Sequence, residues 1–306
     1  MKAVILAGGE GARLRPLSLG LPKPMTPLFD KPVMEHIIAL LRRSGITQIG
    51  VTLRYLPQSI QTYFGDGSQL GVSLTYFVEP TPMGTAGGVK RCMSWLGEED
   101  FLVISGDAVC DLDLKAAMAF HAVRRSAATL LLCRHPNPLA YGLVLTDEEG
   151  RVERFVEKPA WGQVLTNQVN TGIYLLSRRA MDRVPAGKPW DFAKDLFPAL
   201  LASGEQLYGH LAEGYWRDMG DCPAYLASVT DALAGRVGLE LDAPKQGPGI
   251  WSASPLPPSV QIIPPCYIGA NVRVGEGSLL GPNKVLESGR TVGPYALAEG
   301  WVVQGA

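Results

Sequence analysis

Four charged side chains in this 306-residue chain are of the types that phosphate chemistry uses. Arg13 and Lys23 follow the glycine-rich run 8–11, in which backbone N–H groups can approach a ligand because glycine carries no side chain. Cations beside such a run neutralise phosphate oxygens, so the pattern predicts a phosphate-binding loop. Asp107 and Asp218 add two carboxylates, which are ligands that divalent cations prefer, although turns and helix N-caps also favour aspartate.

The loop that carries the two cations follows a predicted buried strand. The apolar run 3–6 opens directly into the glycines, and open α/β sheets bind ligands at the carboxyl ends of their strands. The pattern lacks the Gly-Lys-Ser/Thr of a P-loop and the third glycine of a dinucleotide fingerprint. An ordinary turn is the alternative, but long ordered loops that hold cations are usually functional. Prolines stiffen this loop at Pro16, Pro22, Pro24 and Pro27.

Strand and helix patterns alternate along most of the chain, and this alternation predicts a mostly parallel sheet with helices on both faces. Predicted strands lie at 2–6, 48–53, 72–77, 101–105, 128–132, 171–176 and 206–211. Predicted helices lie at 32–44, 57–64, 85–96, 113–124, 191–202 and 222–235. A β-hairpin is predicted at 142–146 and 151–157. Asp111 and Asp113 are expected to cap the helix that follows them.

The chain changes character after residue 237. Pro and Gly are frequent in 238–259, as they are in linkers. Apolar residues then recur every six positions, and glycine follows four of them: Ile268, Val274, Leu280, Leu286 and Val292, with Gly269, Gly275, Gly281 and Gly293. Hexads of this kind build a β-helix. The predicted division is a catalytic domain at 1–237, a linker at 238–259 and a short left-handed β-helix at 260–306.

Composition excludes several classes of protein. No apolar run approaches the ~20 residues of a membrane span, and the first residues lead into a strand without the features of a signal peptide. The five cysteines are scattered without a CxxC pair, which predicts neither a disulfide framework nor a zinc site. A net charge of −1 gives no reason to expect nucleic acid. We expect no nucleic-acid partner, no membrane and a cytoplasmic location.

The segment 8–27 resembles the signature of the sugar-1-phosphate nucleotidyltransferases, usually written GGxGTRLxPLTxxxPKPxxP. The chain has Ala12 and Ser18 where that family commonly has threonine, and it keeps each glycine and cation of the signature. The resemblance implies a Rossmann-like α/β fold. It also implies transfer of a nucleotidyl group from a nucleoside triphosphate to a sugar 1-phosphate, with release of pyrophosphate.

By the same resemblance, the four charged residues are catalytic. Arg13 would clamp the departing pyrophosphate, and Lys23 would bind the α-phosphate during attack. Asp107 and Asp218 would hold Mg²⁺, the expected cofactor. The residues that would bind the nucleotide are Leu6, Ala7, Gly8, Gly9, Gly11, Glu79, Gly84, Thr85 and Gly106. Those that would bind the sugar phosphate are Gly142, Glu157, Lys158, Asn170 and Thr171.

Glu79 carries information about the base. It stands five positions before Gly84, where the family has a polar residue that faces the base. A carboxylate only accepts hydrogen bonds, and guanine presents two adjacent donors, whereas uracil and thymine suit the amide of glutamine better. Glu79 therefore favours GTP, unless it faces solvent and backbone groups recognise the base.

Among subfamilies, the chain most resembles bacterial mannose-1-phosphate guanylyltransferases, and the expected reaction is GTP with mannose 1-phosphate to give GDP-mannose. Glucose 1-phosphate with UTP or dTTP is the nearest alternative, because the two sugars differ in the orientation of one hydroxyl. A regulatory subunit that binds nucleotide sugars without turnover is another, although the four catalytic residues are all present. The open edge of a short coil predicts a homo-oligomer.

Overall fold

The computed structural model describes residues 1–298, so residues 299–306 of the predicted repeat lie outside the described part. The chain forms two compact units. The first unit comprises Met1–Gly9, Ile38–Gly106 and Leu112–Trp216. The second comprises Glu10–Ile37, Asp107–Asp111 and the chain from Arg217 onward. The cation-bearing loop, both candidate aspartates and the hexad region therefore belong to the second unit.

The first unit is built on a nine-stranded mixed sheet. Its strands are β1 (Lys2–Ala7), β2 (Gln48–Leu53), β3 (Ser73–Val78), β4 (Phe101–Ser105), β5 (Ala128–Arg134), β6 (Leu143–Thr146), β7 (Val152–Val156), β8 (Gln168–Leu176) and β9 (Leu207–Leu211). The order is β7-β6-β8-β4-β1-β2-β3, and β5 pairs with both β8 and β9. Strands β3, β2, β1 and β4 are parallel neighbours, and β8 runs antiparallel to β4. All seven predicted strands and the predicted hairpin are therefore confirmed.

Strand β1 lies at the centre of the parallel part. Val4 and Ile5 are fully buried because parallel neighbours cover both edges and helices cover the faces, which explains the continuous apolar run. Leu6 ends beside Ser105 of β4, and Ala7 beside Leu53 of β2. The glycines after β1 therefore start at the carboxyl edge of the sheet, as the sequence predicted.

Seven α-helices are present among the described residues: α1 (Val33–Arg43), α2 (Pro57–Phe64), α3 (Gly84–Lys90), α4 (Met93–Leu96), α5 (Leu114–Arg124), α6 (Phe197–Ala202) and α7 (Cys222–Leu233). The predicted helix 85–96 is broken in two, since Gly87 and Gly88 weaken its first half. The predicted helix 191–202 begins as a π-helical turn at Phe192–Leu196, because Pro198 cannot donate a backbone hydrogen bond. Within residues 1–298 we find no helix with the length and apolar character needed to cross a membrane.

The second unit contains two pairs of short strands near its candidate site. Pro27–Leu28 and Lys31–Pro32 form an antiparallel hairpin immediately before α1. Ala108–Cys110 pairs with Trp216–Asp218, whose last two residues belong to this unit. Asp218 ends one strand of the second pair and Asp107 directly precedes the other, so this pairing brings the two candidate aspartates near one another.

The hexad region forms parallel ladders. The paired strands are Gln261–Ile262 with Leu279–Leu280 and then Leu297–Ala298, Cys266–Ile268 with Lys284–Leu286, and Arg273–Val274 with Thr291–Val292. Partners in each pair are three hexads apart, and the hexad residues form a buried apolar cluster. Part of the predicted linker belongs to the same ladders, because Ile250–Ser252 pairs with Cys266–Ile268. The left-handed β-helix and the domain boundaries remain predictions.

Candidate active site

Lys23 lies between the two aspartates that the resemblance identified as metal ligands. Its ammonium nitrogen is 2.5 Å from Oδ2 of Asp107 and 3.4 Å from Oδ1 of Asp218. Exposed fractions of the three side chains are 12%, 21% and 34%, so the lysine is the most buried of the three. The second unit therefore joins three predicted catalytic side chains that are far apart in the sequence.

Arg13 reaches the same cluster. A Cβ placed on Gly220 would lie 3.0 Å from Oδ2 of Asp218 and 3.7 Å from a guanidinium nitrogen of Arg13. Both charged groups therefore approach one glycine, and a side chain at this position would push them apart. All four predicted catalytic residues converge within the second unit.

The loop geometry that positions Lys23 requires glycine at position 11. Gly11 has φ 73°, and a Cβ there would be 3.0 Å from Cβ of Lys23, so another residue would be strained and would displace the lysine. Arg13 lies in the short 3₁₀ turn Ala12–Leu14 that follows. The hydroxyl of Ser18 donates to the carbonyl oxygen of Gly11 at 2.7 Å, which closes the loop around this turn.

The aspartates are positioned by backbone pairing. The N–H of Met219 donates to the carbonyl oxygen of Asp107 at 3.3 Å, continuing the pairing of the two short strands. Helix α7 then begins at Cys222 and is capped by Asp221, whose carboxylate accepts from the N–H of Ala224 at 2.9 Å. An N-cap directly after the strand stops the chain from moving Asp218 away from the cluster.

Burial and charge act in opposite directions on these groups. Burial lowers the pKa of Lys23, but the carboxylates of Asp107 and Asp218 raise it more, so the net shift is upward. For Asp218, burial raises the pKa, Lys23 lowers it, Asp107 raises it and Arg13 lowers it, and the net shift is also upward. Lys23 therefore stays charged at neutral pH, whereas Asp218 lies where its negative charge is poorly compensated.

These residues fit a divalent cation of the Mg²⁺ type. Two carboxylates already converge on one positive charge, that of Lys23, and both offer the hard oxygen donors that Mg²⁺ prefers. Among residues 1–298 no group of three or more His, Cys, Asp or Glu side chains forms a metal cage. Mg²⁺ commonly takes one or two carboxylates and completes its shell with water and substrate phosphates, which agrees with a pair.

In the first unit, the predicted nucleotide-binding residues at the ends of β1 and β4 are adjacent. The N–H of Gly106 donates to the carbonyl oxygen of Leu6 at 2.9 Å. Gly8 lies against Arg54, since a Cβ on Gly8 would be 3.5 Å from Cβ of Arg54. We did not predict Arg54 from the sequence. A cation directly after a buried strand was the available signal, but its place beside β1 depends on the strand order.

Glu79 is half-buried and already engaged within the first unit. Its Oε2 accepts from the N–H of Met83 at 3.2 Å, and its Oε1 would lie 2.5 Å from a Cβ on Gly88. Burial raises the pKa of Glu79, while the hydrogen bond from Met83 and the charges of Arg91 and Arg54 lower it, and the net shift is upward. Glu79 therefore anchors its own segment, and base recognition by this residue remains a prediction.

Gly84 and Thr85 are attached to the segment 190–192, which the sequence did not indicate. Gly84 has φ 69°, and a Cβ there would be 2.5 Å from the carbonyl oxygen of Trp190. The hydroxyl of Thr85 donates to Asp191 at 2.8 Å and accepts from the N–H of Phe192 at 3.0 Å. The hydroxyl thus has a structural role, and contact of either residue with the nucleotide remains a prediction.

Three predicted sugar-phosphate residues meet at one end of β6, β7 and β8. A Cβ on Gly142 would be 2.7 Å from Oε2 of Glu157. The carbonyl oxygen of Gly142 accepts from the N–H of Asn170 at 2.8 Å. Segments that are separated in the sequence therefore bring the carboxylate of Glu157 and the backbone of Asn170 to Gly142.

The side chain of Asn170 and the two remaining sugar-site residues have other surroundings. Asn170 donates from its amide to the hydroxyl of Tyr174 at 2.8 Å. Thr171 is buried, and its hydroxyl donates to the carbonyl oxygen of Leu131 at 2.8 Å. Lys158 is exposed and has φ 45°. The roles of all five predicted sugar-phosphate residues remain predictions.

One of the two predicted helix caps is wrong. Asp113 caps α5 as expected, accepting from the N–H of Ala116 at 3.0 Å. Asp111 instead accepts from the N–H of Gly238 at 2.6 Å, within the second unit. The partner lies 127 positions further along the chain, which no local sequence pattern indicates.

Comparisons with known proteins agree with this geometry. A family model described as nucleotidyl transferase matches residues 2–234. The UTP–glucose-1-phosphate uridylyltransferase of Synechocystis sp. is 34% identical over 95% of this chain and 81% of that enzyme. The mannose-1-phosphate guanylyltransferase of Mycobacterium tuberculosis is 35% identical over 91% of this chain and 77% of that enzyme. A crystal structure of HddC from Yersinia pseudotuberculosis, complexed with GMP-PN, has a TM-score of 0.64 and 27% identity over 74% of this chain and 97% of HddC.

Proposed function

The chain belongs to the nucleotidyl transferase family, and on that premise we propose that it transfers a guanylyl group from GTP to mannose 1-phosphate. The products are GDP-mannose and pyrophosphate. The observation that carries the proposal is the convergence of Arg13, Lys23, Asp107 and Asp218 in the second unit. Two cations and two carboxylates in one cluster suit a reaction between two phosphate-bearing anions.

Each residue of the cluster has a distinct part in this reaction. The phosphate oxygen of mannose 1-phosphate attacks the α-phosphorus of GTP, and the bond to the β-phosphate oxygen breaks. Lys23, charged and with 12% of its side chain exposed, neutralises the α-phosphate as negative charge builds on it. Arg13, with five donors in a fixed fork, binds the departing pyrophosphate.

Asp107 and Asp218 would hold Mg²⁺ in this reaction. When bound, the ion would supply Lewis-acid neutralisation of the phosphate oxygens. Family members generally use a divalent metal ion, and the two carboxylates provide its usual donors. The upward pKa shift of Asp218 agrees with this role, because a second cation would compensate a charge that burial disfavours.

Recognition of guanine rests on Glu79. The carboxylate accepts from Met83 through Oε2, which leaves other acceptor positions for the two donors of guanine. A relative named as a guanylyltransferase and a similar structure that contains GMP-PN support this choice. The nucleotide-binding glycines would contribute their backbone N–H groups, and Gly142, Glu157 and Asn170 would bind the sugar hydroxyls.

A second pair of substrates, UTP and glucose 1-phosphate, is favoured by the extent to which the carboxylate of Glu79 is already engaged. Glu79 packs against Gly88 and bonds to its own segment, so part of its acceptor capacity is already used. The Synechocystis relative, which covers 95% of this chain, is named as a uridylyltransferase. The two pairs use the same catalytic cluster and differ in what the base and sugar contact.

The test is pyrophosphate release by the purified protein with Mg²⁺. ATP, GTP, CTP, UTP and dTTP are each paired with mannose 1-phosphate and glucose 1-phosphate. We expect release with GTP and mannose 1-phosphate, and Glu79→Gln to move the preference towards UTP or dTTP. Gln keeps an acceptor for Met83, so the fold of the segment is retained. An unchanged base preference in Glu79→Gln would refute the role of this residue, and release confined to UTP and glucose 1-phosphate would refute the proposed pair.

We also propose that the hexad ladders form a left-handed β-helix that joins copies of the chain into a homo-oligomer. Unpaired strand edges favour association, and Tyr295 and Leu297 on the coil are 78% and 76% exposed. In this proposal 1–237 is the catalytic domain, 238–259 the linker and 260–306 the coil. Light scattering after size exclusion tests it: Leu297→Glu should lower the oligomer mass, and a monomeric wild type would contradict it.

A further inference from the structure

The turn that follows the catalytic loop is clamped to the hexad coil, and both belong to the second unit. Asp30 lies at the tip of the hairpin Pro27–Leu28 and Lys31–Pro32. Its Oδ2 accepts from the hydroxyl of Tyr267 at 2.5 Å, and its Oδ1 accepts from the N–H of Ser288 at 2.7 Å. Tyr267 is fully buried. One carboxylate thus binds two successive turns of the coil.

The coil is shaped to receive this carboxylate. A Cβ on Gly269 would be 2.6 Å from Oδ2 of Asp30, so the absence of a side chain there makes the room that Asp30 occupies. The hydroxyl of Ser288 accepts from the N–H of Ala270 at 2.9 Å, which fixes the backbone that donates to Asp30. By contrast, the hexad glycine Gly293 has open space around its Cβ position. Gly275 and Gly281 are enclosed by atoms of the coil itself, whereas at Gly269 the enclosing atoms belong to Asp30 and to Ser288, which donates to Asp30.

Phe29, the other residue of the hairpin tip, has a conformation that needs support. Its φ of 62° is unusual for a bulky side chain, and such residues persist where their surroundings over-determine them. Phe29 is 2% exposed, and its ring centroid is 4.9 Å from that of Tyr267. Packing on the coil therefore holds the tip in a shape that it would not adopt alone.

A short and rigid path connects the clamp to Lys23. The N–H of Val33 donates to the carbonyl oxygen of Thr26 at 3.1 Å, which closes the base of the hairpin. The N–H of Thr26 donates to the carbonyl oxygen of Lys23 at 3.1 Å, and Thr26 is fully buried. Lys31 pairs with Asp242 at 2.5 Å, which fixes the second strand of the hairpin. These bonds connect the hairpin that carries Asp30 to the backbone of Lys23 through two hydrogen-bonded turns.

We propose that Asp30 is a positioning residue for nucleotidyl transfer: by clamping the hairpin to Tyr267, Gly269 and Ser288, it sets the place of Lys23 in the catalytic cluster. The inference rests on the proposed function for the role of Lys23. Loosening the clamp lets Lys23 drift from the α-phosphate, which lowers kcat, while substrate binding through other residues is kept, so KM changes little. A clamp that only stabilised the fold would lower stability and leave kcat unchanged.

Matched substitutions in the coil test the proposal without touching catalytic residues. Gly269→Ala places a methyl group against Asp30 and against Ser288, which donates its N–H to Asp30, and Gly293→Ala places the same group in open space. Tyr267→Phe removes the hydroxyl that donates to Asp30, and Tyr295→Phe removes an exposed one. Tyr267→Phe keeps the buried ring and is the milder variant should Gly269→Ala fail to fold. Circular dichroism confirms that each variant is folded before kinetics are read.

We expect kcat to fall about tenfold in Gly269→Ala and about threefold in Tyr267→Phe, with KM within about twofold of wild type and both control variants unchanged. Adding Asp30→Ala to Gly269→Ala should cause little further loss, because both act on one contact. Wild-type kcat in folded Gly269→Ala and Tyr267→Phe would overturn the proposal.

Hydrogen exchange of residues 11–26 separates this inference from the proposed function. Exchange there should be faster in Gly269→Ala than in Gly293→Ala, whichever substrates the wild type uses. Equal exchange in the two variants would overturn the clamp even if the wild type is active. A wild type that releases no pyrophosphate with any substrate pair would overturn the proposed function, and the positioning role with it, while faster exchange would still establish the clamp.

Discussion

Replacing Asp218 with asparagine should leave the free energy of unfolding nearly unchanged while it abolishes the role of Asp218 in the reaction. At 3.4 Å, the attraction between Lys23 and Asp218 is about 5 kcal/mol with an effective dielectric constant of ~20. Burial and the charge of Asp107 oppose this attraction, and the upward pKa shift of Asp218 means that together they outweigh it. We therefore expect Asp218→Asn to change the free energy of unfolding by less than about 1 kcal/mol in the absence of metal.

Asp107→Asn is the informative contrast. Asp107 is the closer partner of Lys23 and the less exposed of the two carboxylates, at 21% against 34%. Its loss should destabilise the protein by about 2 kcal/mol, below the ~3–5 kcal/mol of a fully buried pair because Asp218 remains beside the lysine. Urea unfolding in EDTA, followed by circular dichroism, measures both variants.

In the presence of Mg²⁺, Asp218→Asn should become clearly less stable than the wild type. At a concentration of about 100 times its Kd, the ion would stabilise the wild type by ~2.7 kcal/mol, and Asp218→Asn should lose most of this gain together with pyrophosphate release. Asp221→Asn is the matched control, because asparagine also caps a helix well and Asp221 lies three residues from Asp218. A Mg²⁺-dependent gain in Asp218→Asn equal to that of the wild type would refute the assignment of Asp218 as a ligand.

Three further predictions concern other parts of the chain. Burial lowers the pKa of His36 from 6.5 to about 4, so as the pH falls the unfolded chain takes up a proton before the folded chain does. The free energy of unfolding should therefore be greatest above pH 6.5 and should fall by about 3 kcal/mol as the pH drops to 4. His36→Gln should remove most of this slope in urea unfolding, and a slope equal to wild type would refute it. Gly142→Ala would bring a methyl group to 2.7 Å from Glu157, so KM for the sugar phosphate should rise about tenfold while KM for the nucleotide is unchanged, as steady-state kinetics would detect. Thr85→Val removes the hydroxyl that donates to Oδ2 of Asp191 and accepts from the N–H of Phe192, and it should lower the unfolding free energy by about 1–3 kcal/mol; an unchanged midpoint would contradict the structural role of this hydroxyl.

The sequence predicted the parts of the fold that depend on local pattern. Buried strands such as β1 show as apolar runs because neighbours cover both faces, and the hexads show as a period because each contributes one apolar residue to the coil. Local patterns fail where partners are distant. Asp111 accepts a hydrogen bond from Gly238, which is distant in the sequence. Arg54 lies against Gly8 because their strands are neighbours in the sheet. Neither contact can be predicted from the residues that surround it in the sequence.

In the candidate site, too, the sequence predicted the residue types but not the contacts between distant residues. The types of Arg13, Lys23, Asp107 and Asp218, together with the family resemblance, were enough to select them. Their mutual geometry was not, because the pairing of two short strands and the turn at Gly11 bring them together. Glu79 was chosen for its chemistry, but its bond to Met83 depends on how the loop folds back, which the sequence does not specify.

The most direct test of the catalytic cluster is the rate of pyrophosphate release from GTP and mannose 1-phosphate in Lys23→Met. Lys23 is 2.5 Å from Asp107 and is held charged by both carboxylates, so in our account it stabilises charge that develops in the transition state. Loss of one such group commonly costs about 10²–10³ in kcat, and we expect a fall of that size while Asp221→Asn keeps the wild-type rate. A folded Lys23→Met protein with a kcat near that of wild type would contradict the assignment of the cluster as the reaction centre.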